Sequence, residues 1–161
     1  MEFQCVNEVR MFDYRDCKIL SWEMTEEGLK LVVEALIVGP FNSQNPMMCR
    51  SYADTTTILF KDVVILNAYA EGLRRYDAND NLIEEVPDVD LTQEQIDEFK
   101  KWAEGNYLAD IRKDPDENKY QLLIECTGEE PYGAIGLISY CFNVSSDEVV
   151  CSWDRFLNRV E

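Results

Sequence analysis

The stretch GLKLVVEALIV, residues 28–38, alternates apolar and other side chains along most of its length. Its apolar residues at every second position are Leu29, Leu31, Val33, Ala35 and Ile37. Lys30 and Glu34 fall on the opposite face. A period of two residues is typical of a β-strand with one face buried and the other in solvent. The stretch therefore predicts a long, half-buried strand.

The residues before this stretch predict its antiparallel partner. KILSWEM, residues 18–24, places Leu20, Trp22 and Met24 on one side. The connection TEEG is short and ends in Gly28, a residue that adopts positive φ at little cost. We expect the two segments to form a β-hairpin.

Further strand patterns occupy most of the remaining chain. They are TTTILF (55–60), VVILNAYAEGLRRY (63–76), KYQLLIEC (119–126), AIGLISYCFNV (134–144) and VVCSWDRF (149–156). In the second of these, NAYAEG is also compatible with a short helix that ends at Gly72, and we predict a strand. The last three segments are predicted to form a three-stranded meander, because short connections join antiparallel neighbours.

The segment LTQEQIDEFKKWAEG, residues 91–105, carries the signals of a helix start and stop. Thr92 and Gln95 have the spacing of a capping box, and Gly105 suits the C-terminal end. Its apolar stripe consists of Ile96, Phe99, Trp102 and Ala103. We therefore predict one helix that packs on a sheet and shows acidic side chains to solvent.

Together these elements predict a single globular domain over residues 1–161. The predicted class is α+β: a mainly antiparallel sheet of about eight or nine strands with one packed α-helix near 93–104. The sheet is predicted to be barrel-like or folded as a sandwich. A chain of 161 residues that is 46% hydrophobic can bury one such core without disulfides.

The chain is strongly acidic, and the charge is concentrated in one segment. The net charge is −17, from 32 acidic and 15 basic residues. Residues 77–104 contain ten acidic residues, and their only bases are Lys100 and Lys101, so the segment carries a net charge of −8. Such a surface repels nucleic acid and anionic membranes and attracts basic protein surfaces. We therefore predict a basic protein as partner, and neither nucleic acid nor membrane.

The leading functional hypothesis is a non-enzymatic interaction protein, comparable in composition to small acidic inhibitors and immunity proteins. Its predicted partner-binding residues are Asp77, Asp80, Glu84, Glu85, Asp88, Asp90, Glu94, Asp97 and Glu98. The alternative interpretation of the same residues is a solubilising surface without a partner.

The start of this segment, YDANDNLIEE, has two interpretations. Asp77, Asn79 and Asn81 at alternate positions suggest the beginning of a calcium loop. The sixth position is Leu82 rather than glycine, however, and no glutamate stands at the twelfth. A hairpin turn capped by Asp77 explains the pattern better. The ten residues also resemble the hairpin of YD-repeat proteins, which implies a local hairpin and nothing about activity. No metal site is predicted.

Composition disfavours several kinds of chemistry. The chain has no histidine, the commonest general base and a frequent zinc ligand. It contains neither a Walker A motif nor G-x-G-x-x-G. Six cysteines, at positions 5, 17, 49, 126, 141 and 151, show no C-x-x-C spacing and are predicted to be free thiols. We predict no cofactor and no catalytic residue, and an enzyme with paired carboxylates is the weakest hypothesis.

The sequence also predicts where the protein acts. Its first residues, MEFQCVNEVRMFDYRD, lack the basic and apolar regions of a secretory signal. The longest apolar run, residues 31–38, is broken by Glu34 and is far shorter than the ~20 residues of a membrane span. We expect a cytoplasmic protein.

A second functional hypothesis is a small apolar ligand bound inside a barrel-like sheet. The predicted lining residues are Trp22, Tyr140, Phe142 and Trp153. These aromatic residues lie on apolar faces that also have to fill a core, so packing is the alternative interpretation.

Overall fold

The computed structural model describes residues 2–127 and 137–160, which form sixteen β-strands and two short α-helices. The strands are β1 (Phe3–Val6), β2 (Phe12–Asp13), β3 (Lys18–Thr25), β4 (Gly28–Glu34), β5 (Ile37–Val38), β6 (Ser51–Ala53), β7 (Thr56–Lys61), β8 (Val64–Ala70), β9 (Leu73–Tyr76), β10 (Leu82–Val86), β11 (Val89–Asp90), β12 (Tyr107–Lys113), β13 (Lys119–Thr127), β14 (Leu137–Ser145), β15 (Glu148–Trp153) and β16 (Phe156–Arg159). The helices are α1 (Gln93–Asp97) and α2 (Lys100–Ala103), and a 3-10 turn spans Val9–Met11. The structure has more strands than the eight or nine that were predicted, because several of them contain only two to four residues.

The predicted hairpin is confirmed, since β3 and β4 pair antiparallel around a two-residue turn. Gly28 ends this turn with φ +142°. The predicted common face of Leu20, Trp22 and Met24 is partly wrong, because Leu20 is an extra residue in the pairing with β4. The bulge turns Ile19 and Trp22 into the core. Leu20 is exposed as a result, and Met24 is also exposed although no register shift separates it from Trp22.

The long strand predicted over residues 28–38 is split in two. Leu29, Leu31 and Val33 of β4 are fully buried, as predicted. Ala35 then takes φ +59°, a left-handed conformation that redirects the chain. β5 follows in a separate four-stranded sheet with the order β16-β6-β5-β2. Ala35 is therefore a junction between two sheets and not part of one buried face.

The principal sheet is strongly curled. Its ten strands have the order β1-β15-β7-β4-β3-β12-β13-β14-β8-β11, and they pair antiparallel, which confirms the predicted mainly antiparallel sheet. Four strand spacings separate β7 from β13, about 19 Å in a flat sheet. The rings of Phe60 on β7 and Tyr120 on β13 nevertheless lie 5.9 Å apart. The sheet thus wraps around its own core.

The curled sheet does not close into a barrel. In the described residues its first and last strands, β1 and β11, each have a single neighbour. The predicted barrel-like or sandwich form is therefore met only in part, because the curl produces an inner face but the sheet is not a closed barrel. Apolar side chains fill that face, and Phe60, Leu122 and Phe142 are among those fully buried.

The predicted C-terminal meander is only partly correct. β13 and β14 pair along nine residues, and Tyr120 and every second residue up to Cys126 are buried, as predicted. β14 then pairs with β8, whereas β15 pairs with β7 and β1. Ser146 anchors this change of partner, because its hydroxyl donates to the Lys61 carbonyl at 2.8 Å. Residues 134–136 of the predicted strand lie outside the described residues.

The predicted helix is interrupted. The capping box of Thr92 and Gln95 begins α1, as predicted. Between α1 and α2 the chain tightens, since the N–H of Phe99 donates to the carbonyl of Ile96, three residues earlier. Phe99 lies at this break and is fully buried. Neither short helix, nor any other within the described ranges, is long and apolar enough to cross a membrane.

An aromatic cluster joins the two larger sheets. Trp153 of β15 packs against Phe12 of β2 and Phe156 of β16, with ring centroids 5.9 and 5.7 Å apart. Phe3 of β1 stacks on the same indole at 5.8 Å. The four-stranded sheet is thereby fixed at the β1–β15 end of the ten-stranded sheet.

Candidate functional site

The acidic segment begins as a two-stranded ribbon outside both larger sheets. β9 and β10 pair with each other, and they extend the pairing of β8 with β11 at the sheet edge. At the junction a Cβ on Gly72 would lie 1.9 Å from the Val86 carbonyl oxygen. Asp88 Oδ1 accepts the Gly72 N–H at 2.6 Å. We call this ribbon and its turn, residues 73–86, the arm.

Asp77 organises the turn of the arm. Its Oδ1 accepts the N–H of Asn81 at 3.0 Å and that of Asn79 at 2.8 Å. The hydrogen bonds from Asn81, and then that from Asn79, hold the pKa of Asp77 below its usual range. Asp80 takes the left-handed φ of +62°. The predicted hairpin turn is confirmed.

Among the described residues no three His, Cys, Asp or Glu side chains are grouped to hold a metal ion.

The arm exposes an unusual number of apolar side chains. All residues of β9 and β10 are exposed. The large hydrophobic ones, with 46% to 59% of their surface exposed, are Leu73, Tyr76, Leu82, Ile83 and Val86. An isolated two-stranded ribbon has no core of its own, and exposed apolar clusters commonly mark binding surfaces. The arm is therefore the strongest candidate for a binding surface.

The charges of the arm are partly paired within it. Arg74 Nε lies 3.2 Å from Glu85, and Arg75 Nη1 lies 2.9 Å from Glu84. The two arginines lie just before Tyr76 and the acidic segment in sequence, so the charge of that segment overstates the acidity of the ribbon. Exposed pairs of this kind contribute about 0–1 kcal/mol each.

The predicted acidic residues lie in three consecutive parts of the chain. Asp77, Asp80, Glu84 and Glu85 belong to the arm, Asp88 and Asp90 follow it, and Glu94, Asp97 and Glu98 lie on or directly after α1. All are exposed except Asp77, which is half-buried. Glu98 pairs with Lys101 at 2.9 Å, and Asp97 accepts a hydrogen bond from Gln93 at 2.8 Å. The segment therefore presents acidic groups on both a ribbon and a helix.

The four aromatic residues predicted to line a pocket separate into two clusters. Trp22, Tyr140 and Phe142 surround Phe99 with centroid distances of 5.2, 5.4 and 4.5 Å. Phe99 fills the space between them and attaches the helical segment to the inner face of the sheet. Trp153 lies in the cluster that joins the two sheets. The structure does not bring the four together around one cavity.

An open groove lies beside the first of these clusters. It has a volume of about 600 Å³ and runs between α1 and the ends of β3 and β8. Its apolar lining includes Trp22, Leu29 and Ile96, and Asp97 and Lys100 stand at its polar rim. Of the predicted pocket residues, Trp22 lines this groove, and Tyr140, Phe142 and Trp153 do not.

Sequence reasoning missed a polar row on the outer face of the sheet. Arg112, Gln121, Asn143 and Asn67 are direct partners across β12, β13, β14 and β8. Asn143 donates to Asn67 at 2.7 Å, and the row lines a depression of about 430 Å³. The alternation in KYQLLIEC places Gln121 on the outer face. The row itself depends on the register of four strands, which no single segment reveals.

No protein-family model matches this chain, and no match was found among curated proteins or solved structures. The arm, the groove and the surrounding charges are therefore the basis for any functional conclusion.

Proposed function

We propose that this chain is a protein-binding module that docks the arm and the adjacent acidic residues on a basic, partly apolar surface of another protein. The proposed role is non-enzymatic and cytoplasmic, in the manner of small acidic inhibitors and immunity proteins. The observation that supports it best is the arm, a ribbon with every strand residue exposed and five large apolar side chains in solvent.

Apolar burial would supply much of the affinity. The five exposed side chains of the arm are each about half accessible. Covering one of them would contribute about 1 kcal/mol, half the value for a fully exposed side chain. The ribbon is already hydrogen-bonded and its turn is capped by Asp77, so little order would have to be created on binding.

Charge would supply orientation and association rate. Asp77, Asp80 and Asp88 carry negative charge on or beside the arm, and Glu94 and Asp97 add to it from α1. A basic partner surface is attracted to such a field before contact, and the attraction weakens with ionic strength. After this steering, the apolar contact would let the chain occlude the partner's surface.

The test is affinity capture from the native cell with quantitative identification, at low and high salt. One variant removes apolar contacts, with Tyr76→Ser and Ile83→Ser. A second reverses the acidic surface, with Asp88→Lys, Asp90→Lys, Asp97→Lys and Glu98→Lys. We expect one basic protein to be captured by the wild-type chain, and its binding to weaken about tenfold or more with either variant or with high salt.

A matched control makes the same change in net charge elsewhere. It carries four lysine substitutions at exposed acids outside the acidic segment: Glu2→Lys, Glu26→Lys, Glu27→Lys and Asp116→Lys. This control should retain the partner. A protein captured equally by all four chains, or without regard to salt, would contradict the proposed surface.

The groove beside Trp22 supports a second candidate function, the binding of a small apolar ligand. Its volume of about 600 Å³ lies within the range of ligand sites. Val64 lines it and is 55% exposed, so a substitution there changes the groove without disturbing the core. The experiment compares Val64→Glu with Phe41→Glu, at a side chain that is 79% exposed and outside the groove. A fluorescent apolar dye should bind the wild-type chain and Phe41→Glu but not Val64→Glu. Equal binding to all three would exclude this function.

A further inference from the structure

Two of the six cysteines face each other across the edge of the ten-stranded sheet. Cys5 lies on the edge strand β1, and the register pairs it directly with Cys151 on β15. Asn7 fixes this register through two hydrogen bonds to Val149. Its N–H donates to the Val149 carbonyl at 2.8 Å, and its side-chain oxygen accepts the Val149 N–H at 2.9 Å.

The pairing suits a covalent bond between the two sulfur atoms. Directly opposed residues of antiparallel strands have Cα atoms about 4.5–5.5 Å apart, and their side chains leave the sheet on the same face. Disulfides usually join Cα atoms about 4.4–6.8 Å apart. Cys5 and Cys151 are 3% and 1% exposed, and both are free thiols in this structure.

The two thiols also have different environments from Cys17 and Cys126, two of the other buried cysteines. A hydrogen bond from the Cys151 thiol lowers the pKa of Cys5, and Asn42 Nδ2 donates to the same sulfur at 3.7 Å. The hydrogen bond to Cys5 and burial both raise the pKa of Cys151. Burial alone raises the pKa of Cys17 and that of Cys126 to about 12. Cys5 is thus the better nucleophile of the pair.

We propose that Cys5 and Cys151 are a redox modification site that hydrogen peroxide converts into a disulfide between β1 and β15. The Cys5 thiolate attacks one peroxide oxygen, the O–O bond breaks, and a sulfenic acid forms while the other oxygen leaves as water. The Cys151 sulfur then attacks the sulfenic sulfur of Cys5. The hydroxyl of the sulfenic acid leaves with the proton of the Cys151 thiol as a second water. Two thiols lose two electrons and two protons in total, and one peroxide is reduced to two waters.

The position of β1 at the sheet edge explains how peroxide reaches the two thiols and what the disulfide changes. β1 pairs in the described residues with β15 alone, and edge strands held on one side open more readily than central strands. Brief opening would admit a molecule as small as peroxide. The disulfide would then tie β1 to β15, so the oxidised chain should lose this opening.

The experiment treats the folded full chain with limiting hydrogen peroxide and maps the products by peptide mass spectrometry. We expect a loss of two free thiols per chain and one linked pair of peptides that carry Cys5 and Cys151. Hydrogen exchange of the β1 amides should slow in the oxidised chain. The mapping uses the wild-type protein, so it does not depend on whether a cysteine variant folds.

Cys49 provides the control. All six cysteines lie in the described part of the chain, and Cys49 alone is half-buried while the others are buried. If exposure governed reactivity, Cys49 would oxidise first. Cys49→Ser should form the same link as the wild-type chain, and Cys5→Ser and Cys151→Ser should form none. Oxidation of Cys49 before the pair, another pairing, or the same link at an equal rate in urea-unfolded chain would overturn the proposal.

Discussion

Gly28 occupies a position where the backbone of a neighbouring strand leaves no room for a side chain. Its φ of +142° is a conformation that residues with a Cβ rarely adopt. A Cβ there would lie 1.9 Å from the Phe60 carbonyl oxygen of β7. A single glycine therefore permits both the β3–β4 turn and the close pairing of β4 with β7.

Gly28→Ala should lower the free energy of unfolding by about 2 kcal/mol or more, because backbone strain and a backbone clash combine. Urea denaturation followed by circular dichroism measures the change. Gly105→Ala is the matched control, since Gly105 also has positive φ, +89°, but nothing within 4 Å of its Cβ position. It should cost about 1 kcal/mol. Equal losses at the two sites would show that the clash with Phe60 is relieved without cost.

At the scale of an element, the arm shows how a short polar stretch defines a turn. The carboxylate of Asp77 accepts the N–H groups of Asn79 and Asn81, and the backbone of Asp77 pairs with the Asn81 carbonyl at 2.9 Å. These bonds form within five residues of sequence. The same short range explains why the turn was predictable and why its pattern resembled a calcium loop.

The turn should loosen in acid. The pKa of Asp77 is lowered in the folded chain, so its contribution to the turn is complete above the ordinary value of 3.8 and is lost as pH falls through the lower folded pKa. The amide chemical shifts of Asn79 and Asn81, followed by NMR, should change together with a midpoint below 3.8. Asp77→Asn should abolish this transition, whereas Asp80→Asn should leave it. A midpoint at or above 3.8 would contradict the proposed role of the carboxylate.

At the scale of the whole molecule, Phe99 connects the helical segment to the curled sheet. Its ring contacts Trp22 of β3 and Phe142 of β14, which three strand spacings separate. The Trp22 and Phe142 rings themselves lie 5.2 Å apart. The cluster therefore depends on the curl of the sheet and also stabilises it.

Phe99→Ala should destabilise the fold by about 3–5 kcal/mol, because it removes the ring that fills this space. Chemical denaturation gives the free energy, and near-ultraviolet circular dichroism reports the loss of aromatic packing. Phe41→Ala removes the same atoms from a side chain that is 79% exposed, and it should change stability by less than about 0.5 kcal/mol. If both variants lost similar stability, Phe99 would not be the link between helix and sheet.

The charge of the proposed partner-binding surface is also different in the whole molecule from the charge counted along the sequence. The sequence places ten acidic residues and two lysines in residues 77–104. The fold adds Arg74 and Arg75 to the same surface, where they pair with Glu85 and Glu84. A count along the chain could not include these pairs, because the pairing partners fall on either side of the segment boundary.

Local signals in the sequence determined many elements of this protein. The alternation in residues 28–34 and 119–126, the turn at Asp77 and the capping box at Thr92 all appear in the structure as predicted. Each of them rests on interactions among residues that are close in sequence. Side-chain periodicity, a cap and a tight turn are therefore readable before any tertiary contact is known.

Only the tertiary structure decided how these elements are assembled. The bulge at Leu20, the turn of the chain at Ala35 and the exchange of β15 to another neighbour depend on which strands meet. The same holds for the open curl of the sheet and for the pairing of Cys5 with Cys151. Partners so far apart in the chain are selected by the packing of a common core and by strand register, and a local pattern contains neither.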